Sequence, residues 1–169
     1  NDINKVSPEH SQLSSYCSPK GRMLSSMRIF QRGDDFFMLL PPGQIDTVLK
    51  RLRMFVLRAQ VTLDDVGAEL ARMELSGECA ERLLPMDAPG NDHASVTQGD
   101  LTIIRVPGMQ PRFQLIGPAE ALVAIWAEAA SEATPTSNAA WRLLDIQAGV
   151  PTVYPDTSDA FVPQMANLQ

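Results

Sequence analysis

Residues 11–17 and 22–30 mix apolar and small polar positions on either side of a turn and read as two strands. Ser18-Pro19-Lys20-Gly21 lies between them, with Pro and Gly where a tight reversal needs them. In the second strand Met23, Ser25, Met27 and Ile29 share one face, and Leu24, Ser26, Arg28 and Phe30 the other. Neither face is cleanly polar, so the strand should be covered on both sides for part of its length. A turn at Arg32-Gly33-Asp34-Asp35 leads into a third strand over 36–40, closed by Pro41-Pro42-Gly43. These segments form an antiparallel meander. The period then changes. Ile45, Val48, Leu49, Leu52, Phe55 and Val56 recur every three or four residues and predict a helix over 44–58. Lys50, Arg51, Arg53 and Arg58 sit off that stripe, towards the end where a helix dipole favours cations. Residues 61–66 read as a short strand or a turn.

Two later segments share one pattern. Arg72-Met73-Glu74-Leu75-Ser76-Gly77 and Arg112-Phe113-Gln114-Leu115-Ile116-Gly117 each read as a strand stopping at glycine and followed by a helix, over 78–84 and 118–130. Pro118 suits the first helical position, where its missing N–H would be unpaired anyway. The longer helix should bury Leu122, Ile125, Trp126 and Ala129. Residues 87–99 are polar and turn-rich, and 101–106 form a hairpin with 112–116. Strand–helix units alternating with antiparallel hairpins predict an α+β fold: ferredoxin-like plait units with a mainly antiparallel sheet, helices on one face.

The last stretch opens as a helix, capped by Ser137 or Asn138 and carrying Ala139, Ala140, Leu143 and Leu144. Gly149 and Pro151 end it. Prolines at 151, 155 and 163 then keep the chain irregular. An irregular segment of this length carrying Trp, Tyr, Gln and Asn reads as a binding wall rather than a tether.

Composition narrows the function classes. Hydrophobic residues at 44% with 20% charged residues describe a globular chain, large enough at 169 residues for one domain or two small ones. A net charge of −6 argues against a broad nucleic-acid footprint, although the basic residues are mostly arginine and concentrated before residue 60. Cys17 and Cys79 stand far apart, which is neither a disulfide framework nor a zinc site and suits a cytoplasmic chain. No apolar run reaches the ~18 residues of a membrane span. The phosphate-loop, dinucleotide, nucleophile-elbow and H-E-x-x-H motifs are all missing. His10 and His93 read as solvated, and Cys17, without a neighbouring His, as a small strand residue.

The runs Asp145-Ile146-Gln147-Ala148-Gly149-Val150-Pro151 and Phe161-Val162-Pro163-Gln164-Met165-Ala166-Asn167-Leu168-Gln169 resemble the central motif of the YgfZ-type folate-binding proteins. These are paralogues of the glycine-cleavage aminomethyltransferase (T-protein). In that family the second run leads into a K-G-C-Y-x-G-Q-E motif holding the family cysteine, and the chain stops just before it. Its start at Asn1-Asp2-Ile3 resembles the end of the family's opening helix, with the first strand absent. The resemblance thus implies that residues 1–169 are an internal folate-binding region of a longer protein, of the aminomethyltransferase type, without its barrel domain. It further implies tetrahydrofolate as cofactor and a role in tRNA modification and in assembly or maintenance of iron–sulfur proteins. The expected partners are folate and tRNA-modifying or iron–sulfur proteins, with no membrane and no direct nucleic-acid contact by this acidic region.

The resemblance also assigns residues. Trp141 matches a tryptophan that contacts folate, and an indole offers a flat stacking face and one N–H donor. By its pattern alone it serves equally as a helix anchor in the core, and Trp126 as core. Gln147 stands where the family has a pterin-contacting glutamate. Its amide keeps an acceptor and adds a donor. Gln164 and Asn167 are ligand-near by resemblance and loop-capping amides by their own chemistry. In Gly21-Arg22-Met23-Leu24-Ser25-Ser26, the two serines occupy the positions of the aspartate pair that carries aminomethyl transfer. A hydroxyl without an activating base cannot replace a carboxylate there, which disfavours the alternative reading as an aminomethyltransferase. No catalytic residue is assigned. A third reading is a folded interaction module with no ligand.

Overall fold

The computed structural model describes residues 2–168; Asn1 and Gln169, which begin and end the resembling stretches, lie outside the described residues. Asp2 accepts from the Asn4 amide and caps a short 3₁₀ turn, Ile3–Lys5. The meander follows as predicted: β1 (Gln12–Cys17), β2 (Met23–Arg32) and β3 (Asp35–Leu39) form an antiparallel sheet in that order. Gly21 and Gly33 carry positive φ at its two turns. Met23, Ser25, Ser26, Met27, Arg28 and Phe30 are all buried, so β2 is covered on both faces.

Helix α1 (Ile45–Arg53) is shorter than its apolar stripe. Beyond Arg53 the side chains of Phe55 and Leu57 find no cover and remain exposed. Without tertiary burial a further helical turn is only marginally stable. The Arg53 guanidinium instead turns to the Leu63 carbonyl and lies 3.5 Å from the Asp64 carboxylate. Residues 61–66 contain no strand.

The second sheet has the order β4-β7-β6-β5, antiparallel throughout: β4 (Ala71–Ser76), β5 (Ser95–Gln98), β6 (Leu101–Arg105) and β7 (Arg112–Gly117). β5 falls in the stretch that looked merely polar and turn-rich. Its hydroxyls are satisfied internally: Ser95 Oγ donates to the Pro8 carbonyl, and Thr97 Oγ1 pairs with Thr102 Oγ1 at 2.9 Å. The expected helix over 78–84 is only a 3₁₀ turn, Glu81–Leu83. Pro85 forces Leu84 out of helical backbone, to φ −76° and ψ 145°.

Helix α2 (Ala119–Ala129) covers one face of this sheet, with Pro118 at the N-cap rather than inside the helix. Met73, Leu75, Ile103, Phe113 and Leu115 pack there with Leu122 and Ile125. The opposite face carries Ile104 and Ile116, which cluster with Phe30 from β2 and Trp141 from α3 (Asn138–Gln147). Arg32 reinforces this junction, its Nε donating to Thr102 Oγ1 at 3.0 Å and its Nη2 to the Ile116 carbonyl at 3.1 Å. The architecture is thus α+β, two antiparallel sheets with three helices, compatible with a ferredoxin-like plait. It differs from the expected one-sided arrangement in that α2 and Trp141 of α3 lie on opposite faces of the second sheet.

After α3, Gly149 takes φ +67° and the chain runs back along the start of β2. Asp159 N–H donates to the Met23 carbonyl and Met23 N–H to the Phe161 carbonyl, both at 2.8 Å. Ser158 Oγ donates to the Leu24 carbonyl, and Val153 N–H donates to the buried Ser26 Oγ at 2.9 Å. Replacing Ser26 by Ala removes that acceptor and leaves a buried N–H unpaired. The expected loss is about 1–3 kcal/mol, read as a lower midpoint in urea with an unchanged slope.

Candidate functional site

Among the described residues two cavities stand out on this framework. The larger, about 500 Å³, lies among β3, α1, residues 62–67 and the start of β4. Phe30, Phe36, Phe37, Leu39, Val48 and Leu52 make its wall largely apolar, with Asp35, Asp64, Asp65 and Arg72 also on it. The smaller, about 340 Å³, wraps the outer edge of β4 between α2, α3 and their connection at 132–136. Trp126, Trp141, Glu74, Ser76 and Cys79 line it. Its volume falls in the range of small-molecule sites, and it combines aromatic walls with few polar groups.

Trp141 is fixed before any ligand is considered. Only 9% of its surface is exposed, and the Arg112 guanidinium carbon lies 4.1 Å from its ring centroid. Arg112 is itself almost fully buried; its Nη2 donates to Asp145 Oδ1 at 2.6 Å and its Nη1 to the Pro107 carbonyl at 2.9 Å. The Arg112 Nε has no partner among the described residues. Gly108 makes room for this side chain, since a Cβ there would sit 2.4 Å from Arg112 Cδ. The indole therefore anchors α3 to the core and also forms part of the cavity wall. Both readings of Trp141 have a physical counterpart.

Gln147 is exposed at the end of α3 and lines neither cavity. It lies six positions after Trp141, which turns the two side chains about 120° apart on a helix. The two assigned residues are not brought together. Gln164 is exposed in the turn Pro163–Ala166, and Asn167 closes that turn with φ +56°, as a capping amide does.

Two residues that were not singled out for a site do face the smaller cavity. Trp126, expected in the core, is 47% exposed, because α2 offers its buried stripe through Leu122, Ile125 and Ala129 and the indole falls beside it. Glu74 alternates with Met73 and Leu75, so the strand pleat turns it away from the α2 side. Its Oε1 accepts from Gln114 Nε2 at 3.1 Å, and Arg72 Nε lies 3.4 Å away. Burial pushes this carboxyl above the usual carboxylate range, offset in part by Arg72 and the Gln114 amide. A glutamate inside a strand flanked by apolar neighbours was the available sequence signal.

The serines at the aspartate-pair positions are structural. Ser25 Oγ donates to the Ser26 carbonyl, and Ser26 Oγ holds Val153. Cys17 lies at the end of β1, its Sγ 3.6 Å from Ser15 Oγ. Nor is His93 simply solvated: its Nδ1 lies 2.9 Å from Arg28 Nη1, which also donates to Ser11 Oγ. Arg28 is buried without a carboxylate in direct contact, and desolvation lowers it to about 10. Burial and the neighbouring Arg28 hold the His93 imidazole below its ordinary value, with His10 adding and Asp92 opposing. Among the described residues no helix is long and apolar enough to cross a membrane.

A depressed histidine contributes stability above its unfolded pKa of about 6.5, lost as pH falls through the folded value. The melting midpoint of the protein should therefore drop between pH 7 and 5. In His93→Asn, whose side chain does not titrate and tolerates the φ of +70° at this position, the drop should be smaller. Equal slopes for the two proteins would remove His93 from this linkage.

No family model matches the chain. Comparison with curated proteins finds the tRNA-modifying protein YgfZ of Colwellia psychrerythraea, 31% identical over 99% of this chain and 52% of that protein. The proteins of the same name from Yersinia enterocolitica and Cronobacter sakazakii are 28% and 27% identical, with the same coverage. The chain spans about half the length of these relatives. The resemblance carried by its D-I-Q-A-G-V-P and F-V-P-Q-M-A-N-L-Q runs is borne out: along nearly all of its length this chain is similar to part of a YgfZ-type protein.

Proposed function

We propose that this chain is the folate-binding region of a YgfZ-type protein that takes part in tRNA modification and in assembly or maintenance of iron–sulfur proteins. The observation that carries the reading is the similarity over 99% of the chain to proteins named tRNA-modifying protein YgfZ. The smaller cavity supports it. Two indoles border a space large enough for a pterin ring, and the cavity wall also carries the Glu74 carboxylate, an acceptor for N–H groups. A bound tetrahydrofolate would supply a carrier for a one-carbon unit; the chain's own residues supply a flat wall, an acceptor and exclusion of water.

Aminomethyl transfer is the weaker reading. Ser25 and Ser26 are buried and engaged with the backbone, so neither is placed to carry a negative charge or take a proton beside a cofactor. The region's net negative charge keeps tRNA as a substrate of the pathway rather than a ligand of this surface.

Titration with tetrahydrofolate, followed by intrinsic tryptophan fluorescence, tests the reading. Saturable quenching is expected, and Trp141→Phe, which keeps the helix anchored, should weaken affinity about 3- to 10-fold through the lost indole area and N–H. A protein with native melting behaviour and no saturable response would leave the ligand-free interaction module as the better account.

A further inference from the structure

The two sheets repeat one plan, and the first is a strand short of it. β5, β6 and β7 form an antiparallel meander followed by a helix, α2; β1, β2 and β3 form another, followed by α1. In the second sheet β4 covers the outer edge of β7, pairing antiparallel from Ala71↔Gly117 to Ser76↔Arg112, and it precedes the meander in the chain. α2 rests on both β4 and β7. The corresponding edge of β3 pairs with no strand among the described residues. Burial follows the difference. β7 is buried at every position except Gln114, whereas β3 reads Asp-Phe-Phe-Met-Leu and none of its residues is buried.

The larger cavity lies along that free edge. Residues 35–40 all line it, so it meets side chains from both faces of β3: Phe36 and Met38 from one, Phe37 and Leu39 from the other. Ile45, Val48 and Leu52 of the α1 stripe form a further wall. The backbone points the same way. The turn between β2 and β3 holds two residues, Gly33 and Asp34, so Arg32 with Asp35, Phe30 with Phe37 and Arg28 with Leu39 are the hydrogen-bonded pairs. The N–H and C=O groups of Phe36 and Met38 are therefore directed away from β2, towards the cavity. A small apolar ligand there would shut these groups from water without a partner, and a strand satisfies them.

We infer that the larger cavity is a strand-receiving groove, filled in the whole protein by an antiparallel strand of the same polypeptide that precedes Asn1, as β4 precedes its own meander. The inference takes from the YgfZ reading only that the whole protein is longer than this chain. A partner matching the five residues of β3 is about 17 Å long. With apolar neighbours on both faces, its own side chains should be mainly small or apolar on both faces as well. α1 would then rest on β3 and the incoming strand, as α2 rests on β7 and β4.

Amide hydrogen exchange in the full-length protein tests this with no ligand present. The Phe37 amide is bonded to β2 and serves as the internal reference. The Phe36 and Met38 amides should exchange within about tenfold of it, whereas an open edge leaves them on the order of 100-fold faster. Amide–amide NOEs from Phe36 and Met38 should lead to residues preceding Asn1. Fast exchange at both positions overturns the inference. Slow exchange with intermolecular NOEs in a mixed-label sample gives the edge to a second copy and overturns it too, as do NOEs to residues beyond Gln169. None of these readouts moves if folate binding fails, which the tetrahydrofolate titration reports separately.

Discussion

The structure depends on one buried cation, Arg112. Its guanidinium passes beneath Gly108, lies flat on Trp141 and reaches Asp145, so that the β6–β7 connection and both halves of α3 share a single group. Burying such a charge costs several kcal/mol before any contact is made. A carboxylate at 2.6 Å, a carbonyl at 2.9 Å and an aromatic face offset that cost, and desolvated cation–π contacts contribute ~2 kcal/mol. The geometry allows little slack. Moving α3 by an ångström would strand the charge, so these contacts fix where Trp141 stands on the wall of the smaller cavity.

A second buried cation performs the equivalent task on the first sheet. Arg28 joins β2 to Ser11 and His93 through neutral partners, with Asp145 and Asp92 acting at longer range. Asp145 therefore balances two guanidinium groups from different sheets. Between them lies the apolar cluster of Phe30, Ile104, Val106, Ile116 and Trp141. Charge and hydrophobic burial reinforce each other here: the ionic contacts set orientation, and the cluster excludes the water that would screen them.

Local pattern made the meander, the 101–116 hairpin and the cores of α1 and α2 legible, because alternation and the 3.6-residue period are imposed by which face is buried. Elements whose burial depends on distant residues were not. The Gly99-Asp100 pair between two short alternating runs was a hairpin signal for β5, but its Ser and Thr positions read as polar loop until Pro8 and Thr102 supplied their partners. α1 stopped short at Phe55 because nothing packs on it, a fact no periodicity contains. At the site, the resemblance pointed to Trp141, and the chain does set that indole on a cavity wall. Glu74 was passed over and Trp126 was read as core for a common reason. Each sits at the margin of an apolar pattern, where only the placement of a neighbouring helix decides between core and cleft.

The ties between the terminal segment and β2 span most of the molecule, Ser26 to Val153 and Ser18 to Asp159 being 127 and 141 positions apart. A ribosome adding about 5–20 residues per second needs on the order of 6–25 s to make the former partner after the latter strand has emerged. Through that interval the nascent meander must wait with its second strand uncovered along the first few residues. Small hydroxyls at 25 and 26 suit this delay better than large apolar groups would, since they can be held by water until Val153 arrives. The same pair that stands at the aspartate positions thus leaves that part of the strand without a large apolar side chain to expose.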